Sequence, residues 1–122
     1  MSSYNPYNHA EALGVKVAHR SLGRETGLWV PRLNTIFLRP GMSARQERSV
    51  LAHEIAHREL GHTLCTRKTE AEADRRAAGM LLSPAKVLGA LDRGASQADV
   101  AAEFGVTDRL LRAFLSDPAR GR

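Results

Sequence analysis

The chain predicts an α+β fold: a small N-terminal antiparallel or mixed β-sheet packed on two long helices, then a C-terminal helical hairpin resembling a helix-turn-helix. Three observations predict it. Short apolar runs separated by glycine, proline and asparagine turns occupy the region up to Leu38. From Met42 onward apolar residues recur at helical intervals. Near the C-terminus, two short helical patterns flank a glycine at Gly105. A chain of 122 residues suits one domain, with its main part over 10–84, C-terminal helices over 85–116 and a tail over 117–122.

Ala10–Leu13 reads as a short helix, and Val15–His19, Leu28–Val30 and Thr35–Leu38 read as short strands. Arg39-Pro40-Gly41 ends the last of them. Trp29 and Phe37 belong in or beside the sheet, and Phe104 and Phe114 among the C-terminal helices. The segment Met42–Leu60 carries Val50, Leu51, Ile55 and Leu60 at helical intervals, with Ala52 and Ala56 as small fillers. Ser43-Ala44-Arg45-Gln46 fits a capping box at its start, and Gly61 suits its C-cap. A second helix is expected over Thr69–Leu82, where Thr69-x-x-Glu72 reads as another capping box and Ala73 and Ala77 permit close approach to the first helix. Ser96 and Thr107 are the expected N-caps of the hairpin helices.

Inside the first long helix stands His53-Glu54-Ile55-Ala56-His57, the H-E-x-x-H pattern. Two imidazoles four residues apart project from one helix face and can reach the same ion. Glu54 is turned aside by about 100° of helix, which suits a group that holds the water and not the metal. Two satisfied core histidines would be the bland alternative, but the amphipathic helix around the motif favours the metal.

Two histidines and a water leave a tetrahedral zinc one ligand short. His62 misses the offsets of the H-E-x-x-H-x-x-G-x-x-H pattern and is expected at an exposed helix end, where a cation meets the helix dipole. The run Glu70-Ala71-Glu72-Ala73-Asp74 is the better source, since Glu70 and Asp74 share a face while Glu72 points elsewhere and has a capping role to fill. Glu70 is therefore the expected zinc ligand, and Asp74 the acceptor that orients a ligand histidine. Ligand type favours zinc, although two histidines and a carboxylate also suit manganese.

These residues, with Ala77-Ala78-Gly79-Met80-Leu81-Leu82-Ser83-Pro84, resemble the ImmA/IrrE metallopeptidase family of compact gluzincin-like enzymes. The resemblance covers roughly residues 10 to 116 and is most specific in the two helices. Gly14-Val15-Lys16-Val17 and Asn34-Thr35-Ile36-Phe37-Leu38 resemble the family's strands before the motif helix. Members are typical of phages, mobile elements and bacteria, and those with known roles act on or antagonise a DNA-binding repressor. The resemblance thus implies a protein substrate of that class, and a strand edge beside the zinc, here Thr35–Leu38, that holds it in extended form. Two positions depart from the pattern: the family usually has an aromatic residue at Arg76 and Met at Ser83, and the first could alter how Glu70 is delivered.

The expected chemistry is peptide-bond hydrolysis, with Zn²⁺ polarising the carbonyl and Glu54 moving the proton from water to the leaving amine. Tyr4, Tyr7, His9, His19 and His62 are each conceivable oxyanion stabilisers, although packing or surface roles are commoner for such residues. Gln97–Thr107, followed by Leu111 and Phe114, resembles a DNA-binding helix-turn-helix. The net charge of +5 argues otherwise, because residues 1–61 hold eight basic and five acidic groups and residues 62–122 ten and eight. The outward face of Asp108, Arg109, Arg112 and Ala113, beside Asp99 and Glu103, offers phosphates little. The hairpin is expected to cap the catalytic core or dock the protein substrate. The alternative function is a zinc-containing regulator, or repressor-binding protein, that uses the hairpin without proteolysis. A closed structural site usually takes four side chains, often cysteines, whereas this one leaves a position open.

Cys65, the single cysteine, cannot form an internal disulfide, and is read as a small buried or loop residue in a reducing compartment. No apolar run reaches the length of a membrane span, and Met1–His9 lacks the form of a signal peptide. Cytoplasmic residence without a membrane partner is the expectation.

Overall fold

The structure, a computed structural model, describes residues 4–119; residues 1–3 and 120–122, including the end of the expected tail, lie outside the described residues. Chain order is α1 (Pro6–Ala12), β1 (Lys16–His19), β2 (Gly27–Val30), a 3-10 turn (Pro31–Leu33), β3 (Thr35–Leu38), α2 (Ala44–Glu59), α3 (Arg67–Leu81), α4 (Pro84–Asp92), α5 (Gln97–Phe104) and α6 (Asp108–Ser116). The fold is α+β, as expected. The first helix begins earlier than Ala10 because Asn5 caps it, its side chain accepting from the Tyr7 and Asn8 N–H groups, with Pro6 at the first position.

The sheet is mixed, in the order β1-β3-β2, with β1 parallel and β2 antiparallel to β3. This corrects one expectation. Thr35–Leu38 is the central strand, hydrogen-bonded on both sides, and cannot accept a further strand. Its residues Thr35, Ile36 and Leu38 are buried, as a central strand requires. The edge lying against α2 is β2.

Helix α2 divides the interior. Leu51 and Ile55 face the sheet, in a cluster with Ala10, Val15, Ile36 and Leu38. Ala52 and Ala56 face the other way, into a larger helical cluster that includes Ala73, Ala77, Val87, Val100, Leu111 and Phe114. All four alanines at the α2–α3 contact are fully buried, so the two helices approach closely. Helix α6 packs on α3 and buries Leu110, Leu111 and Phe114. At about 2 kcal/mol for each such side chain, the hairpin is part of the domain and not an appendage. Among the described residues no helix is long and apolar enough to cross a membrane.

The caps follow the chain's own chemistry, with one correction. Ser43 accepts from the Gln46 N–H, while Ser96 and Thr107 cap α5 and α6. Helix α3, however, starts at Arg67: Thr66 and Thr69 form the capping box, so Glu72 is not a cap and is free for other contacts. Ser83 caps α4, its side chain accepting from the Lys86 N–H.

Candidate metal centre

The centre is built from two adjacent helices. His53 and His57 leave α2 one turn apart, and Glu70 leaves α3 one turn after its capped start. Their ligand atoms converge: His53 Nε2 lies 3.0 Å from His57 Nε2 and 3.0 Å from Glu70 Oε1, and His57 Nε2 lies 2.8 Å from Glu70 Oε2. Among the described residues, these three form the group able to hold a metal ion, one ligand atom of each lying within 4.8 Å of the others.

Hydrogen bonds on the far side of each ring set its tautomer. His53 Nδ1 lies 2.8 Å from Asp74 Oδ1, and a carboxylate only accepts, so the proton sits on Nδ1 and the Nε2 lone pair faces the centre. His57 Nδ1 lies 3.0 Å from His62 Nδ1, and His62 Nε2 lies 3.0 Å from Glu72 Oε1. Glu72 therefore takes the Nε2 proton of His62, whose Nδ1 accepts from His57 and leaves the His57 Nε2 lone pair to the centre as well. Two ring nitrogens and a carboxylate crowded this closely need something positive between them, a proton or a bound ion. Glu70 Oε2 adds to this, being buried and without a hydrogen bond of sound geometry among the described residues. The donor set of two imidazoles and one carboxylate fits a divalent cation.

His62 was expected at an exposed helix end, cationic against the dipole; its side chain is instead only 11% exposed and bonded on both nitrogens. The reason is local. Gly61 adopts φ +68°, and the paired bonds His62 N–H to His57 O and Gly61 N–H to Arg58 O turn the chain back over the last helical turn. That turn lays the residue after the glycine against His57. Gly61 in the sequence carried the signal for this contact.

Glu54 points the other way, toward the sheet, where its Oε1 accepts from the Trp29 N–H at 3.0 Å. Gly27 makes that approach possible: a Cβ there would lie 2.5 Å from Val50 Cγ1 and 3.1 Å from Glu54 Cγ. Burial pushes the Glu54 carboxyl up to about 7; the charges of Glu70 and Glu25 add to the rise, while His53 and the Trp29 N–H oppose it. A carboxyl poised there can take up and return a proton near neutral pH. Burial would lower the His53 imidazolium, but the hydrogen bond and charge of Asp74, with Glu54 and Glu70, outweigh it and leave the group raised. His57 is lowered, first by burial and then by the charge of His53. Burial likewise works to raise Asp74, but its bonds to His53 and Arg109 hold it below the ordinary carboxylate range.

Arg109 is exposed, as expected of the outward face. What the sequence did not disclose is that its Nε donates to Asp74 Oδ2 at 2.9 Å, so α6 reaches the centre through Asp74. Helix α6 docks with its N-terminal end beside α3, a tertiary contact that no local pattern announces. An open cleft of about 320 Å³, lined by His53, Glu54 and Glu70 of the centre, runs between the Glu25–Gly27 segment and the start of α6. Tyr4, Tyr7, His9 and His19 do not line it. Tyr4 bonds His9, which pairs with Glu59, and Tyr7 and His19 share Glu47, all where α1 and β1 meet α2. Arg76 pairs with Glu59 at the surface, and Glu70 reaches both histidines. Cys65 is an exposed residue of the α2–α3 loop.

A peptidase family model, described as the IrrE N-terminal-like domain, matches residues 10–116. The chain belongs to this family. The match takes in the sheet, both ligand-bearing helices and the C-terminal hairpin, so α5 and α6 belong to the IrrE-like domain itself. No curated protein matches the chain.

Proposed function

We propose that this IrrE-like domain is a zinc metalloendopeptidase whose substrate is a DNA-binding repressor of a phage, a mobile element or a bacterial stress response, and that it works in the cytoplasm. One observation carries the catalytic part: His53, His57 and Glu70 aim their ligand atoms at one point that opens on a cleft beside the buried Glu54 carboxyl. His53, His57 and Glu70 would hold the ion, which when bound polarises a carbonyl and makes a water acidic. Glu54 takes the proton of the attacking water and delivers it to the departing amine. Asp74 and the His62–Glu72 pair keep both imidazoles in the tautomer that leaves Nε2 bare.

The substrate lies along β2. Trp29 turns its N–H away from β3 and onto Glu54, and by antiparallel alternation Gly27 turns its backbone groups outward as well. An extended peptide added to that edge passes beside Glu54. Against the regulator reading stands α6, which commits its apolar face to the helical core and carries only two cations, Arg109, held beside the cleft by Asp74, and Arg112.

The test is incubation of the zinc-loaded protein with the repressor encoded nearest to it. Cleavage by the parent, lost in Glu54→Gln with zinc content unchanged, is the expected result. Full biological effect in the Glu54→Gln protein would make the role binding and not hydrolysis, and a salt-dependent shift of random duplex DNA would favour the regulator.

A further inference from the structure

The cleft is lined by four carboxylates, Glu25, Glu54, Glu70 and Asp74, and by a single fixed cation, Arg109. Glu25 stands on the wall beside β2, and Arg109 on the wall formed by α6. Arg109 is the one lysine or arginine lining the cleft among the described residues. Its Nε is committed to Asp74 Oδ2, and Asp74 is fixed in turn by His53. Steadying Asp74 needs a single donor. Both Nη groups remain without a partner among the described residues, on a side chain that is 63% exposed.

A guanidinium held at Nε has already lost much of the rotamer freedom that ligand binding would otherwise cost. Its open fork matches a carboxylate in two parallel hydrogen bonds. It meets the ligand atoms only through Asp74 and the His53 ring, so it stands beside the centre and not over it. A neighbouring side chain of a bound peptide comes within its reach, while the scissile carbonyl is left to the metal position. Glu25 and Glu54 repel an acid from the opposite wall, and the open Nη groups are the donors in the cleft that attract one.

We propose that Arg109 is a specificity residue that selects peptides carrying a glutamate or aspartate close to the scissile bond, on the α6 side of the cleft. This rests on the peptidase reading. The zinc-loaded protein is given a randomised peptide library, and the cut sites are read by mass spectrometry. A Glu-containing peptide from the cut set is expected to be cleaved about tenfold faster in kcat/KM than its Gln counterpart, the scale of one charge-assisted hydrogen bond. R109A brings the ratio to about one, and R109E inverts it in favour of a Lys-containing peptide. If Arg109 serves only to steady Asp74, R109A lowers zinc affinity and slows both peptides alike with their ratio intact, which overturns the proposal. Cleavage with no acidic preference overturns it too and leaves the peptidase reading standing. If no peptide is cut, that reading fails, and fluorescent Glu and Gln versions of one library peptide are titrated into the zinc-loaded E54Q protein. Equal affinities then overturn the role of Arg109, and a tenfold gap that R109A abolishes upholds it.

Discussion

His53 and His57 come from the same helix and offer the same ring atom to the same point, yet they are held by unlike means. His53 is anchored across the fold by Asp74 of α3, itself tied to Arg109 of α6, so its orientation depends on how three helices pack. His57 is anchored by the turn that follows its own helix, through His62 and then Glu72. The first arm is direct, and its carboxylate is 12% exposed; the second passes through an intervening ring to a carboxylate 36% exposed. One motif thus carries a tertiary support on one histidine and a largely local support on the other. Tertiary packing and local turn geometry can fail separately, so the two arms can be broken separately.

The largest effect should erase the difference between the arms. His53→Ala and His57→Ala each remove one of three ligands and should weaken metal binding about thousandfold, a share of the total affinity typical of such sites. Elemental analysis after dialysis reads this directly. Metal retained at full stoichiometry in His57→Ala would show that the rings do not share an ion.

Next comes Glu54, which belongs to neither arm. Its folded carboxyl sits at about 7, above the 4.5 of a free one, so the folded state holds the proton more tightly. Its stabilising contribution is therefore complete below pH 4.5 and is lost as pH rises through 7. Glu54→Gln has no charge to bury. Metal-free Glu54→Gln should match the parent in acid and exceed it by about 3 kcal/mol above neutrality, as measured by urea unfolding across pH. A constant difference at every pH would mean that the carboxyl is not buried as described.

The two arms separate at their carboxylates. Asp74→Asn should weaken metal binding about a hundredfold and Glu72→Gln about tenfold, the two ends of the range for groups that orient ligand histidines. Competition with a chromophoric chelator reads both. Equal losses would put the His62 relay on a par with the direct bond to Asp74.

The same division explains what the sequence discloses. The ligands and Glu54 follow from spacing on two helices, because one helix face is a local property of the chain. The strands and most caps follow from alternation and from Ser and Thr at helix starts. Strand order did not: Thr35–Leu38 and Leu28–Val30 have similar local patterns, and which of them is central is decided by pairing across the sheet. The N-cap of α3 at Thr66 was masked by a second, equally good cap signal three residues on. His62 was legible in principle from Gly61, whose left-handed turn returns the chain to His57. Arg109 was not, because only the docking of α6 on α3 brings it to Asp74.

The smallest effect isolates that docking. Ser49, 2% exposed on α2, accepts from the Thr107 N–H at 3.1 Å, at the residue that caps α6. Ser49→Ala removes the acceptor of this half-buried N–H, at a cost of about 1 kcal/mol in stability. The apolar face of α6 keeps the helix in the domain, so the expected change is a loosening of its first turn and not its loss. Arg109 lies in that turn, whereas His62 and Glu72 do not. NMR of the metal-loaded protein should therefore show the His53 Nδ1 proton exchanging faster while the His57 Nδ1 proton keeps its protection. Equal acceleration of both would mean that the α6 seat supports the whole centre and not the His53 arm alone.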